Sequence, residues 1–395
     1  MTKNKVLISG ASIAGPALAY WLSRHGFSVT VVERCPGIRP GGQAIDVRGP
    51  ALEVAERMGV LEKLRAASTE MGGMSVVDAD GTEVYRNVEH TVTGGDLDSP
   101  DVEILRDDLT AIITEAAGEE IEYLFDDSIA ELDQDDDEVR VVFDSGLRRS
   151  FDLVVGADGL HSNTRRLVFG PAGQFISHLG TYMAVYTVPN FLDLKNWQVM
   201  HQMPGEGMRG GMVMSARHNT EARAYLMFDS EEPVDYDYRD IEGQKALLAE
   251  KLAGDSWVIP QLLEYARTAS DFHFDSAAQI RMDSWSRGRV VLLGDAGYCG
   301  SPMSGQGTSM ALVGAYVLAG ELAAAGGDHR AAFAAYEKEL RGYVQANQDM
   351  AIANMEMRRA GTMQAAEESE SAEALVESGM ADFAQVVGSY TIKDY

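Results

Sequence analysis

The sequence predicts an α/β protein in which a parallel, nucleotide-binding sheet is interrupted by an inserted antiparallel sheet and followed by a C-terminal helix. Three observations carry this. Glycine-rich turns follow short apolar runs at three distant places, after Val6-Leu7-Ile8, after Leu153-Val154-Val155 and after Val290-Val291-Leu292-Leu293. Between the second and third, the pattern changes to short strands split by Pro, Gly and Asn. Long apolar-periodic helices follow the third.

Taken in order, Val6–Ser9 is a buried strand, 13–25 a helix and Val29–Glu33 the next strand, a strand–turn–helix–strand unit of nucleotide-binding length. Residues 50–67 read as one helix. Residues 74–88 read as two strands joined at Asp80-Gly81. Arg106 opens a helix to about Ala117, and 121–144 reads as a three-stranded meander. The run Asp135-Asp136-Asp137 is a solvated hairpin tip, since it lacks the spaced ligands of a calcium loop. Strands follow at 181–188, 198–202, 211–216 and 222–228, then helices at 240–253 and 258–268. A strand leads into Gly294, and helices run at 305–324 and 328–360. A polar stretch, 365–371, precedes a last amphipathic helix over 372–387.

The formal net charge of −28 over 395 residues argues against nucleic acid and anionic membranes as partners, because phosphates would be repelled. The two cysteines, Cys35 and Cys299, have neither CxxC nor metal-ligand spacing, so no metal is expected. The apolar stretch 311–325 is broken by Glu321 and reads as a core helix. With no signal-peptide pattern at Met1, a cytoplasmic setting is expected.

The first turn, Gly10-Ala11-Ser12-Ile13-Ala14-Gly15, lets the helix starting near Ile13 aim free amides at a pyrophosphate. Gly10 makes the sharp turn and Gly15 allows close packing. Ser12 replaces the middle glycine of GxGxxG and is small enough for phosphate approach. Glu33 ends the second strand, where its carboxylate can accept both ribose hydroxyls. It disfavours a 2′-phosphate there. Asp158 lies in the second turn, Gly156-Ala157-Asp158-Gly159. The third, from Gly294-Asp295, continues through Pro302 to Gly305-Gln306-Gly307-Thr308 and offers a carboxylate for polyol hydroxyls beside a helix start. One short nucleotide needs one such turn. Three converging turns suit FAD.

These motifs resemble the single-component FAD-dependent aromatic hydroxylases of the para-hydroxybenzoate hydroxylase type, and within them the tetracycline-inactivating flavin monooxygenases. The resemblance rests on the first turn with Glu33-Arg34, on Arg106 in an Arg-x-x-Leu helix start, on the DG motif within 152–165, and on the GD motif at Asp295 with Pro302 and 305–307. It implies that Glu33 and Arg34 hold the adenosine end and that Asp46 lies near the flavin. Arg39 matches a nicotinamide-binding position. Arg106 contacts the ribityl–pyrophosphate region, Asp158 serves both FAD and NAD(P)H, and Asp295 holds the ribityl chain. Gln43 and Arg48 face the flavin or are plain loop residues. Tyr298 stands where the family commonly has His, and Thr308 where it has Asn.

The implied activity is hydroxylation of an aromatic or polycyclic (polyketide- or tetracycline-like) compound with NAD(P)H and O2, through a flavin hydroperoxide. No catalytic residue of the protein is named, because the chemistry is the flavin's. Alternatives are Baeyer–Villiger oxygenation, epoxidation, or a non-catalytic flavin-binding ligand sensor. Halogenation is improbable, since no tryptophan has another two residues away. The middle sheet offers Met212, Met214 and Met203 as a wall for a planar substrate, with Tyr182, His201 and Arg209 to orient it. The FAD-binding part is expected at 1–72, 98–178 and 273–364, the substrate part at 73–97 and 179–272, and the bridging helix at 372–388. A monomer or homodimer is expected.

Overall fold

The computed structural model describes residues 4–203, 208–359 and 383–395. Its first layer is a six-stranded sheet, in the order Ser286–Arg287, Val290–Leu292, Leu153–Gly156, Lys5–Ser9, Ser28–Val32 and Glu122–Leu124. All neighbours run parallel except the Ser286–Arg287 edge. The central strands are unbroken Val/Leu/Ile runs because both faces are covered. One face packs on the helices Ala14–Arg24 and Gly307–Ala324, whose Trp21 and Tyr316 rings meet edge to face at 4.9 Å. Helix Gly307–Ala324 is apolar all round and long enough for a membrane span, yet it is buried almost throughout, as a core helix must be. Helix His329–Arg359 follows it.

The second layer is a seven-stranded sheet, ordered His273–Ile280, Ile176–Pro189, Glu221–Asp229, Arg209–Ala216, Gln198–Gln202, Met74–Val77 and Glu83–Asn87. Its middle is antiparallel as expected; Met74–Val77 joins in parallel. One face is closed by the helices Ile241–Lys251 and Ile259–Thr268 around Tyr182, Tyr186, Leu226 and Phe228. The other carries Met183, Val185, Met200, Met212, Met214 and Tyr225, and packs on Ala44 of a two-stranded sheet formed by Ala44–Val47 and Val102–Leu105.

Several elements differ from the sequence reading. Residues 50–67 form two helices, Pro50–Arg57 and Leu61–Ala66, because Gly59 turns the chain at a φ of 71°. The meander is Ile129–Gln134, Val139–Phe143 and Arg148–Phe151; Glu122–Leu124 instead extends the parallel sheet. The chain does not return directly to the first layer after Phe272, since His273–Ile280 pairs with Ile176–Pro189. Of the last helix, 372–382 lies outside the described residues, and 383–387 is helical. The segment beyond it docks on helix Gly307–Ala324 through Lys393 and Tyr395, both bonded to Glu321 (2.6 and 2.8 Å).

Candidate FAD site

The three glycine turns meet. Gly10 lies at a φ of 107°, and a Cβ there would run into the Ala157 carbonyl oxygen, so the first turn touches the second. A Cβ on Gly15 would strike the Gly10 carbonyl. One on Gly294 would sit 3.3 Å from the Ala14 Cβ, so the third turn abuts the first helix. Parallel pairing fixes this convergence: Ala157 donates its N–H to Ser9 (2.8 Å) and Leu293 to Gly156 (2.9 Å).

The helix starts at these turns are left open. Neither Ile13, ahead of Ala14–Arg24, nor Gln306, ahead of Gly307–Ala324, provides a side-chain cap, and neither first turn carries an acid. Several other helices share the missing side-chain cap, among them Pro50–Arg57, Arg106–Ala117 and Ile259–Thr268, so what singles these two out is their place beside the glycine turns. Two uncapped N-termini therefore present free amides and positive dipole ends to the same cleft.

Glu33 closes one end. Its two carboxylate oxygens accept from Ala11 N–H (2.8 Å) and Cys35 N–H (3.0 Å), which ties the strand end to the glycine loop and leaves lone pairs for a ribose. Ser12, Ile13 and Ala14 are half-buried around the loop. Arg34 and Arg39 are exposed, and surrounding protein presses the Arg39 guanidinium below its ordinary range. Asp158 faces inward: it accepts from Thr164 N–H (2.9 Å) and Oγ1 (2.8 Å), and anchors helix Asn163–Val168. Arg106 is 3% exposed and donates to the Arg39 and Gly41 carbonyls (both 2.6 Å). Burial and nearby Arg39 push it down to about 10, and its Nε has no partner.

Asp295 is exposed to the cleft, yet the protein enclosing it pushes its carboxyl up, helped by the charge of Asp275. Beyond it, Pro302 and Gly305 are exposed, Gly307 is half-buried and Thr308 buried. Ser301 holds a φ of 76°, unusual for a residue with a side chain, and Gly305 is left-handed at 62°. Both polar side-chain atoms of Gln306 are buried without partners. Asp46 is buried against Arg48 at 2.8 Å. Glycines whose added Cβ would clash, two uncapped helix starts, an open carboxylate and orphaned polar atoms fit an extended dinucleotide with its adenosine at Glu33 and its ring system toward Gly305–Thr308.

The middle sheet divides the residues expected to meet substrate. Met212 and Met214 lie on the face toward Ala44. Tyr182, His201, Met203 and Arg209 do not, and this corrects the expectation. Tyr182 is in the core under the two outer helices, accepting from Val234 N–H (2.8 Å). His201 bonds the Val77 carbonyl (2.9 Å) and Ser256 (3.0 Å), with Met203 beside them. Arg209 pairs with Asp255. The cause is register: His201 follows Met200, which pairs with Met212, so it points to the opposite face.

Sequence reasoning missed Tyr225, which accepts from Ala44 N–H (2.8 Å), and Arg223, whose Nε donates to the Gly42 carbonyl (3.1 Å). Alternation in Arg223-Ala-Tyr225-Ala was the available signal. It also missed His273 and Asp275, on the same face of the edge strand. Tyr298 is buried, bonded to Tyr336 Oη at 2.9 Å and set against Trp285 with the ring planes tilted by 43°, so its hydroxyl is committed to the core.

Comparison with known proteins agrees with this geometry. A family model described as FAD binding domain matches residues 3–351. Rv1260 of Mycobacterium tuberculosis (strain ATCC 25618 / H37Rv) is 55% identical over 99% of both chains. A flavin-dependent monooxygenase of Legionella longbeachae is 39% identical over 89% of both. The crystal structure of tetracycline destructase Tet(51) superposes with a TM-score of 0.88 at 34% identity over 100% of both chains. That of Tet(55) gives 0.85 at 37%, over 100% of this chain and 99% of the other. The chain belongs to the FAD binding domain family and is an FAD-dependent monooxygenase of the aromatic-hydroxylase type.

Proposed function

We propose that this monooxygenase uses NAD(P)H and O2 to hydroxylate a planar aromatic or polycyclic small molecule of tetracycline or polyketide character. The observation that carries the reading is the methionine face. Met183, Met200, Met212 and Met214 gather with Val185 and Tyr225 on the sheet face that packs on Ala44. Thioether side chains adapt to flat rings of varied outline. Similarity to the tetracycline destructases Tet(51) and Tet(55) supports the substrate class.

Bound FAD supplies the redox and oxygen-transfer chemistry. The chain's residues bind and orient it. Glu33 receives the adenosine ribose, with Arg34 beside it. The open amides from Ser12 to Gly15 face the pyrophosphate, and Arg106 and Asp158 fix the loops around it. Asp295 receives the ribityl hydroxyls, and Pro302 to Thr308, with Asp46 near, border the ring system. Arg39 stands at the opening as the nicotinamide-side cation. Tyr225 and Arg223 hold loop 41–44 against the wall and keep the chamber dry.

The FAD-binding part is assigned to 1–72, 98–175 and 281–359 and the substrate part to 73–97 and 176–280, because His273–Ile280 and Ile176–Pro189 pair in the second sheet. A cytoplasmic setting accords with two free cysteines, and a monomer or homodimer is part of the same proposal.

The test uses FAD-loaded protein, NADH or NADPH, and a panel of polycyclic phenols including tetracycline. A substrate should accelerate nicotinamide oxidation and emerge with one added oxygen as an alcohol. Oxygen found in a ring-expanded lactone would move the reading to Baeyer–Villiger chemistry. A yellow protein that binds the panel without consuming nicotinamide would overturn it in favour of a ligand sensor.

A further inference from the structure

The strands Ala44–Val47 and Val102–Leu105 pair antiparallel, with Asp46 directly opposite Glu103. Directly opposed side chains share a face, with Cβ atoms about 4.5–5.5 Å apart. Here both are acids. Asp46 is 7% exposed; its Oδ1 and the Glu103 Oε1 are both buried without a hydrogen-bond partner.

The surroundings do not neutralise two charges. Arg48 is the cation present: it bonds Asp46 at 2.8 Å and lies 3.6 Å from a further acid, Asp101. Three carboxyls thus share one guanidinium. The remaining groups are neutral: Thr69 donates to Glu103, Thr93 faces it, and Tyr225 stands on the opposite sheet within reach of both charges. A buried carboxylate oxygen without a donor is costly, and two opposed carboxylates are costlier. One proton held on the pair removes the repulsion between them.

The cluster lies at the ring end of the cleft. Arg48 donates its backbone N–H to Ser309 Oγ (3.1 Å) in the first turn of helix Gly307–Ala324. Its Nη1 would be 3.9 Å from a Cβ on Gly305.

We propose that Asp46 and Glu103 hold one proton between them, and that this pair, acting through Arg48, sets the charge felt by the flavin ring. They are positioning residues and need not touch substrate. Loss of the proton leaves Arg48 outweighed by three negative charges; its retention leaves two. The direction of titration agrees, since burial and the Glu103 and Asp101 charges push Asp46 up to about 7 against the pull of Arg48, and burial pushes Glu103 up. The inference rests on FAD occupancy and not on the substrate proposed above.

Two measurements test it. In the FAD-free protein, pH-difference infrared spectroscopy should find a buried protonated carboxyl that persists to near neutral pH. Glu103→Gln should lower its midpoint by about one pH unit or more, a tenfold change, and Asp46→Asn should abolish it. In the FAD-loaded protein, the flavin midpoint potential plotted against pH should bend near neutrality and lose that bend in Asp46→Asn. If that variant does not fold, Glu103→Gln should move the bend to lower pH. A carboxyl titrating only in the ordinary acid range, or a midpoint indifferent to Glu103→Gln, would overturn the shared proton. A bend unchanged in the variants would overturn the role at the flavin. Neither readout needs a substrate, so failure here is separable from failure of the proposed reaction.

Discussion

Glu33→Gln makes a sharp test of the adenosine end. Both carboxylate oxygens of Glu33 accept from backbone N–H groups, Ala11 at 2.8 Å and Cys35 at 3.0 Å. A glutamine has one oxygen. Whichever way its amide is turned, an NH2 faces a backbone donor in a half-buried site. One bond is lost and two donors oppose each other, costing about 1–3 kcal/mol in the protein without FAD. The same amide loses its charge and half its accepting capacity toward a ribose diol. A charge-assisted bond is worth about 1.5–3 kcal/mol, which at about 1.4 kcal/mol per tenfold predicts FAD affinity weakened by about 10- to 100-fold. Titration of FAD into stripped protein, followed by quenching of flavin fluorescence, measures the dissociation constant, and thermal unfolding of the stripped protein measures the structural part. If Glu33→Gln binds FAD within twofold of the parent and melts at the same temperature, Glu33 is neither the ribose acceptor nor the clasp of the loop.

Three further outcomes are expected. Tyr225→Phe leaves the Ala44 N–H without its acceptor and should cost about 1–3 kcal/mol in denaturant unfolding, with weakened substrate-stimulated nicotinamide oxidation. Gly314→Ala would gain about 1 kcal/mol in an unconstrained helix, but its Cβ would land on Tyr298 Oη, with Leu293 3.0 Å away, so thermal unfolding should show a net loss of about 1–3 kcal/mol. His273 is pushed down to about 4 by burial and by Arg39 and Arg106. Its unfolded form binds a proton more readily, so its contribution is complete above about pH 6.5 and lost as pH falls toward 4. His273→Asn should flatten that part of the stability–pH curve.

The fold was legible because its signals are local. Each glycine turn ends an apolar run, and parallel strands buried on both faces must bring such turns to one edge, so Gly10, Ala157 and Gly294 meet as the chain order requires. The site was legible where backbone geometry demands a residue type, as at Gly10, Gly15 and Glu33. It was not legible where the answer depends on which face of a strand is inward. Met200 and His201 are neighbours in sequence but face opposite layers, and composition does not say which layer holds the flavin. Tyr182 and Tyr225 show the same ambiguity: both are buried tyrosines of one sheet, one under the outer helices and one against Ala44. The break at Gly59 was missed because apolar periodicity continues across it while its φ does not.

Charge gives the cleft a meaning that the total hides. The chain carries −28 formally, which would repel an anionic dinucleotide. Yet Arg106 and Arg165 are 3% and 0% exposed and form no ion pair among the described residues. Their guanidiniums instead donate to carbonyls of the cleft loops. Arg106 holds Arg39 and Gly41; Arg165 holds Leu160 (2.6 Å) and Ala296 (2.8 Å), which bridges the DG and GD motifs. Burial pushes both below the ordinary arginine range. A buried cation costs several kcal/mol unless it is closely paired; Asp107 near Arg106 and Asp158 near Arg165 offset burial only in part, and a core of hydrocarbon would brace these loops more cheaply. The arrangement makes sense where an anion completes it. By holding Gly41, Leu160 and Ala296, the two side chains shape loops that, in the function proposed above, would border FAD, whose pyrophosphate would add negative charge to their surroundings.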